Sequence, residues 1–313
     1  MHTQWSRRGF LGLAGTTGLA LVACSPDKPA PGTPGGGAVT VKHAFGETTV
    51  AAPPKRVVSA GFTEQDSLLA LGVVPIATTE WFGGQPFAVW PWAQPKLGAA
   101  QPVVLTLDNG IEIDRIAALK PDLIVATNAG VDADTYQKLS AIAPTIPQSG
   151  ADAFFEPWQT QAAAIGAAVF QDDAMKSLVK AVDDKFIQVG ADNQQFKDKK
   201  AVLLEGRLWD NNVVATLPGW RTDFLNQMGF APPDGIKSYG RDDHRAVIPV
   251  DQAASALDGA DVLIWTTETD DDRAALTANP AIADLRATKL DRNVFTGKDL
   301  AGAIAFSSVL SYP

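Results

Sequence analysis

The segment Ile111-Glu-Ile-Asp-Arg-Ile-Ala-Ala-Leu-Lys-Pro-Asp-Leu-Ile124 returns in looser form as Ile248-Pro-Val-Asp-Gln-Ala-Ala-Ser-Ala-Leu-Asp-Gly-Ala-Asp-Val-Leu-Ile264. Both copies open on an apolar-Asp step, pass through a short helical pattern and a turn, and end in the apolar run of a buried strand. The residues upstream repeat as well. Lys55-Arg-Val-Val-Ser-Ala-Gly61 followed by Leu68-Leu-Ala-Leu-Gly-Val-Val-Pro75 corresponds to Lys200-Ala-Val-Leu-Leu-Glu-Gly206 followed by Phe224-Leu-Asn-Gln-Met-Gly-Phe-Ala-Pro232. A strand-helix-strand-helix lobe that occurs twice constrains the fold strongly, because two such lobes leave a cleft between them. Clefts of this kind are where ligands collect.

The rest of the chain fills in this outline. Residues 39–45 and 47–50 alternate as a hairpin around Gly46. Strands are expected at 56–60, 74–78, 122–127 and 144–147, alternating with helices at 64–71, 112–119 and 132–142, and a further helix at 156–169. That alternation predicts a mostly parallel sheet. Between the repeats, Met175, Leu178, Val179, Val182, Phe186 and Val189 recur at helical spacing, so 172–194 reads as a single long helix. The expected architecture is α/β: two Rossmann-like lobes, 39–171 and 195–313, joined by one long helix, with a ligand cleft between them. The 313 residues suffice for two cores. A single helical crossing is stiff, so only a small opening motion is expected.

Ser6-Arg-Arg-Gly-Phe-Leu11 and the uncharged run to Ala23 are similar to a twin-arginine export signal. The run of roughly 15 residues is too short to span a bilayer comfortably. It ends in Leu21-Val-Ala-Cys24, which matches a bacterial lipobox, in which Cys24 takes a diacylglycerol and becomes the mature N-terminus. Residues 24–38, rich in Pro and Gly, then form a flexible tether with a reach on the order of 20 Å. The expected location is the outer face of the cytoplasmic membrane, with the protein lipid-anchored there. Cys24 is the single cysteine, so neither an intramolecular disulfide nor a thiolate metal cluster can form. A net charge of −9 argues against nucleic-acid binding, which needs a basic footprint.

In parallel sheets, ligands gather beyond the carboxyl ends of strands. In the first lobe those ends lead into Glu80, Trp81, Phe82 and Asn128, with Trp90 and Trp92 close by in sequence; in the second they lead into Arg207, Trp209, Trp220 and Arg221. The connection holding Tyr239, Arg241 and His244 is expected to overhang the same cleft. Rings therefore concentrate in the first lobe and cations in the second. Each ring either packs onto the core beside its own loop or faces the ligand. As a set they describe a broad pocket lined by rings and guanidiniums, suited to a planar or delocalised anion. There is no G-x-S-x-G elbow and no phosphate-binding P-loop. A hydrolase would have to use Glu80, Glu205 or Glu268, and no nucleophile-base spacing supports one. Outside the signal there are only two histidines, His43 and His244, too few for a bare metal site. A further alternative is an interaction protein whose acidic face binds a partner.

Six motifs occur in order: Pro54-Lys-Arg-Val-Val58, Leu69-Ala-Leu-Gly-Val73, Trp90-Pro-Trp-Ala93, Ile116-Ala-Ala-Leu-Lys-Pro-Asp-Leu-Ile124, Leu139-Ser-Ala-Ile-Ala-Pro-Thr145 and Phe306-Ser-Ser-Val-Leu-Ser311. Over nearly the whole mature chain this series resembles the iron-siderophore branch of the substrate-binding proteins of ABC importers. The resemblance implies a monomer that captures a ferric siderophore, or alternatively haem, and delivers it to a membrane permease driven by a separate ATPase. It implies no catalysis, no cofactor and no direct metal ligand, since the chelator holds the iron. Trp81, Trp90, Trp92, Trp209 and Trp220 would cover apolar faces of the ligand, and Arg207, Arg221 and Arg241 would meet its oxygens. For haem, Tyr239 or His244 would be the axial ligand. Relatives dock onto permease arginines through a glutamate on each lobe. The equivalent places here hold Asp132 and Asp134 in one lobe and Asp270, Asp271 and Asp272 in the other. The resemblance also implies a last helix beyond Pro313.

Overall fold

The computed structural model describes residues 37–241 and 244–313. The export signal, Cys24 and most of the tether lie outside the described residues. The chain begins with a hairpin of β1 (Val39–His43) and β2 (Gly46–Val50), as the alternation predicts. The first lobe then runs β3 (Val57–Ser59), α1 (Glu64–Ala70), β4 (Ala77–Thr79), β5 (Val103–Leu105), α2 (Ile113–Ala118), β6 (Leu123–Ala126), α3 (Ala133–Ser140), β7 (Thr145–Pro147) and α4 (Trp158–Ala168). Its five strands lie in the order β5-β4-β3-β6-β7 and every pair is parallel. The edge strand β5 has no counterpart among the strands expected from sequence.

Both faces of this sheet are covered, and the strands read accordingly as continuous apolar runs. Val57, Leu123, Val125 and Ile146 face Leu68 of α1 and Ile165 and Ala168 of α4. Val58, Ile124 and Ala126 face the other way, toward Ile116 of α2 and Leu139 of α3.

α5 (Asp172–Asp192) is the long helix expected between the repeats, and it packs along α4. The second lobe follows with β8 (Ala201–Glu205), β9 (Asn212–Thr216), α6 (Asp223–Gln227), β10 (Arg245–Pro249), α7 (Ala253–Leu257), β11 (Val262–Thr266), α8 (Asp270–Ala278), α9 (Pro280–Ala283), α10 (Arg286–Lys289), β12 (Asn293–Phe295) and α11 (Gly297–Phe306). Its sheet has the order β10-β9-β8-β11-β12. β11 is parallel to β8 and β12, whereas β9 runs antiparallel to β8 and β10. The repeat is therefore less exact than expected. No helix joins β8 to β9; Asp210 and Asn211 both adopt positive φ (45° and 59°), the geometry of a two-residue hairpin turn, and that turn sends β9 backward.

Where the repeat does hold, the same contacts recur. Asp122, at the head of β6, accepts a hydrogen bond from the Lys55 backbone N–H (2.8 Å), and Asp261, at the head of β11, accepts one from Lys200 (3.0 Å). Gly61 after β3 lies so close to Asn128 that an added Cβ would stand 2.5 Å from its carbonyl oxygen. Gly206 after β8 approaches Thr266 in the same way, at 2.2 Å. Each glycine allows two adjacent strand ends to close together.

One face of the second sheet is fully packed: Val202, Leu204, Leu263 and Trp265 meet Leu257, Leu276, Ile282 and Leu285. On the opposite face Ala201, Leu203 and Ile264 meet Phe224 and Leu225 of α6, Met228 and Phe230 just after it, and Ile304 of α11, a smaller cover. That incomplete cover is where the cleft opens.

Candidate ligand-binding cleft

A cavity of about 420 Å³ lies between the lobes. Its back wall is the thinly covered face of the second sheet, from Leu203 and Thr216 to the strand ends at Glu205, Thr266 and Glu268. Ala301, Ile304 and Ala305 of α11 form one side, Trp81 and Phe82 of the first lobe form another, and Arg221 completes it. The cavity thus meets the carboxyl ends of β8 and β11, as parallel-sheet geometry predicts, but also spreads back over the sheet face. A second, more open depression of about 530 Å³ on the first lobe is lined by Ile111–Arg115 and Lys138. It has no rings and an exposed Arg115–Glu112 ion pair (3.2 Å), so it has the character of ordinary polar surface.

The rings of the first lobe form a connected shelf. Phe62 stacks on Trp81 (5.5 Å between centroids) and on Phe154 (5.7 Å), and Phe155 lies 5.0 Å from Trp81. Asn128, expected as a ligand contact, is fully buried and holds this shelf together instead. Its Oδ1 accepts the Phe155 N–H (2.8 Å), its Nδ2 donates to Thr63 Oγ1 (3.1 Å), and its own N–H donates to Glu64 (2.8 Å). Burial pushes the Glu64 carboxyl up to about 7 against four hydrogen bonds that favour its charge.

Other expected contacts have structural roles. Trp90 is 1 % exposed, stacks on Trp92 at 5.0 Å, and meets Phe306 of α11 at 5.9 Å. Gly83 and Gly302 make room for it, since a Cβ on either would stand about 2.5 Å from the indole. Trp92 donates Nε1–H to Asp66 (2.8 Å), and Ser308 donates to the same carboxylate oxygen (2.6 Å). Asp66 is fully buried, and desolvation pushes it up to about 6. Glu80 accepts the Gly84 N–H (3.2 Å) and shapes the loop. Lys298 of α11 donates to the Gly83 carbonyl (2.8 Å). The Trp81–Trp92 loop is therefore a clamp on α11, a second connection between the lobes that resists wide opening.

In the second lobe, Trp220 packs against the Trp158–Tyr312 cluster rather than lining the cavity. Trp209 is 56 % exposed beside the β8–β9 turn, and Arg207 pairs with Asp272 (3.7 Å). Tyr239 packs onto the core and donates its hydroxyl to Gln252 (3.0 Å). Arg241 and His244 are exposed and flank Asp242 and Asp243, which lie outside the described residues. Neither Tyr239 nor His244 lines the cavity, so the expected axial ligand of a haem has no place there.

Arg221 is different. It is half-buried, with its guanidinium 4.6 Å from the Trp220 ring and 4.8 Å from the Phe155 ring, and has no carboxylate within ion-pair distance among the described residues. Burial, with Arg245 nearby, lowers its pKa. Phe62 lies at a strand end, where ligand contacts were expected; the contributions that sequence reasoning missed are Phe154, Phe155 and α11. The adjacent pair Phe154-Phe155 and the small, apolar composition of 301–306 were the available signals.

The periplasmic binding protein family model matches residues 57–300. The chain belongs to that family. A periplasmic solute binding protein from Mycobacterium smegmatis is 64% identical, superposes with a TM-score of 0.84, and the match covers 88% of this chain and 94% of that one. The probable siderophore-binding lipoprotein YfiY of Bacillus subtilis is 26% identical over 73% of this chain and 68% of its own length. The iron-uptake protein PiaA of Streptococcus pneumoniae, solved with ferrichrome, is 22% identical with a TM-score of 0.71, covering 87% of this chain and 93% of that one. That last likeness is one of fold.

Proposed function

We propose that this protein is the extracytoplasmic receptor of an ABC importer and carries a ferric siderophore between its lobes, with iron held by the chelator. The observation that carries this reading is Arg221, a half-buried guanidinium braced by two rings, without a carboxylate partner among the described residues, on a cavity that Trp81 and Phe82 also line. Such a group is poised for an anionic oxygen of a ligand. YfiY, a probable siderophore-binding lipoprotein, and PiaA, solved with ferrichrome, support the same ligand class. Trp81 and Phe82 cover an apolar face of the chelate, the protein acts by capture rather than catalysis, and Cys24 anchors it at the membrane. The lobes 39–171 and 195–313 bind as a monomer around the helix 172–194.

Permease docking uses Asp132 and Asp134 at the start of α3 and Asp270 and Asp271 at the start of α8, equivalent points of the repeat. Asp272 is the fifth member of this set; it closes a capping box with Thr269 and pairs with Arg207, much as Asp132 caps α3 and Asp134 pairs with Lys138, and the test reverses the other four. Reversing the four aspartate charges should abolish uptake while leaving ligand affinity unchanged; intact uptake would remove them from the interface. Titrating tryptophan fluorescence with ferric chelates and with haemin tests the receptor reading. Saturable quenching by a ferric chelate supports it, and its absence with every chelate refutes it.

A further inference from the structure

Among the described residues, the ionisable side chains that line the cavity are Arg221, Glu205 and Glu268. Glu205 is met by Arg245 (3.7 Å), and Glu268 has no ion pair among the described residues. Apart from the Glu205–Arg245 pair, the described lining therefore presents one cation and one carboxylate. The other arginine near these strand ends, Arg207, is turned to Asp272. The remaining described lining combines apolar Trp81, Phe82, Ala301 and Ile304 with the threonines Thr216 and Thr266. A strongly anionic ligand would satisfy Arg221 but set its remaining charge against Glu268 and against rings, in a space where water screens poorly. Carboxylates facing a site repel anionic competitors as effectively as cations recruit anionic ligands.

We infer that this cleft selects ferric chelates of low net charge, taking an anionic edge at Arg221, a donor edge of amide, hydroxyl or amine groups at Glu268, and an apolar face over Trp81 and Phe82. Polyanionic chelates are rejected. This inference rests on the receptor reading above and narrows it to a charge class.

The test is a fluorescence titration of the full chain in detergent with two probes, uncharged ferrichrome and the trianionic ferric enterobactin. Ferrichrome should bind at least about tenfold more tightly, with an affinity that changes by less than about twofold between low and high salt. Glu268→Gln should strengthen ferric enterobactin binding about three- to tenfold while weakening ferrichrome about two- to fivefold, because the donor edge loses its carboxylate, so the gap narrows from both sides. Tighter binding of the trianion by the native protein overturns the inference and leaves the receptor reading intact. Equal responses of both probes to Glu268→Gln also overturn it. If neither chelate binds, the receptor reading falls and this inference with it.

Discussion

The two lobes contribute opposite chemistries to the cleft and use most of them elsewhere. The first lobe's aromatic loop places Trp90 and Trp92 against Phe306, so those indoles hold α11 and only Trp81 and Phe82 reach the cavity. The second lobe's arginines turn mostly to their own carboxylates, Arg207 to Asp272 and Arg245 to Glu205, and Arg221 stands apart. A loop rich in rings or cations is therefore not itself a site. The binding surface is what remains once the loops have satisfied their own packing and charge.

The most damaging change to this division should be Trp90→Ala. Emptying a fully buried indole pocket costs about 3–5 kcal/mol, read as a lower denaturant midpoint. A loss below about 1 kcal/mol would mean the clamp on α11 is weak. Gly302→Ala sharpens the point, because alanine normally favours a helix over glycine. Here the added methyl meets the indole, so destabilisation of about 1–3 kcal/mol is expected.

Next in size, Arg221→Ala should weaken ferric-chelate binding by about 1–3 kcal/mol with little change in unfolding midpoint. Trp220→Ala should chiefly lower stability through the Trp158–Tyr312 cluster and weaken binding less than Arg221→Ala, since it removes one of the two rings that brace Arg221. If both variants lost affinity equally at unchanged stability, Trp220 would belong to the site after all.

A pH series tests the buried carboxyls of the first lobe. Folding raises Asp66 from 3.8 to about 6 and Glu64 from 4.5 to about 7. Between those values the folded state binds more protons than the unfolded chain, so stability falls as pH rises. Their contribution is fully present below about pH 4 and is lost by about pH 7. The melting temperature should fall between pH 5 and pH 7.5, and Asp66→Asn should flatten that slope while keeping acceptors for Trp92 and Ser308. An unchanged slope would clear Asp66 of the effect. The smallest effect belongs to Arg207→Ala, an exposed pair, where stability should move by less than about 0.5 kcal/mol and affinity not at all.

Much of the fold was legible because it is written in local periods. Strand runs such as Leu123–Ala126 are apolar throughout because helices cover both faces, and α5 shows its 3.6-residue spacing over 21 residues. The recurrence of Asp122 and Asp261 before matching strands also survives in sequence, since each caps a neighbouring strand's first N–H. The reversal of β9 was less legible, as it depends on Asp210 and Asn211 both taking the left-handed conformation that glycine more often fills.

Sequence alone determined the two α/β lobes, the helix between them, and the gathering of rings on one side and cations on the other, because periodicity and composition act over a few neighbouring residues. Only the tertiary structure decided which of those residues line the cavity. Trp90 is buried because Gly83 and Gly302, more than 200 residues apart in the chain, both lie against it. Arg221 is available because no carboxylate among the described residues comes within ion-pair reach of it. Both outcomes rest on distances between remote segments, a quantity no local pattern encodes.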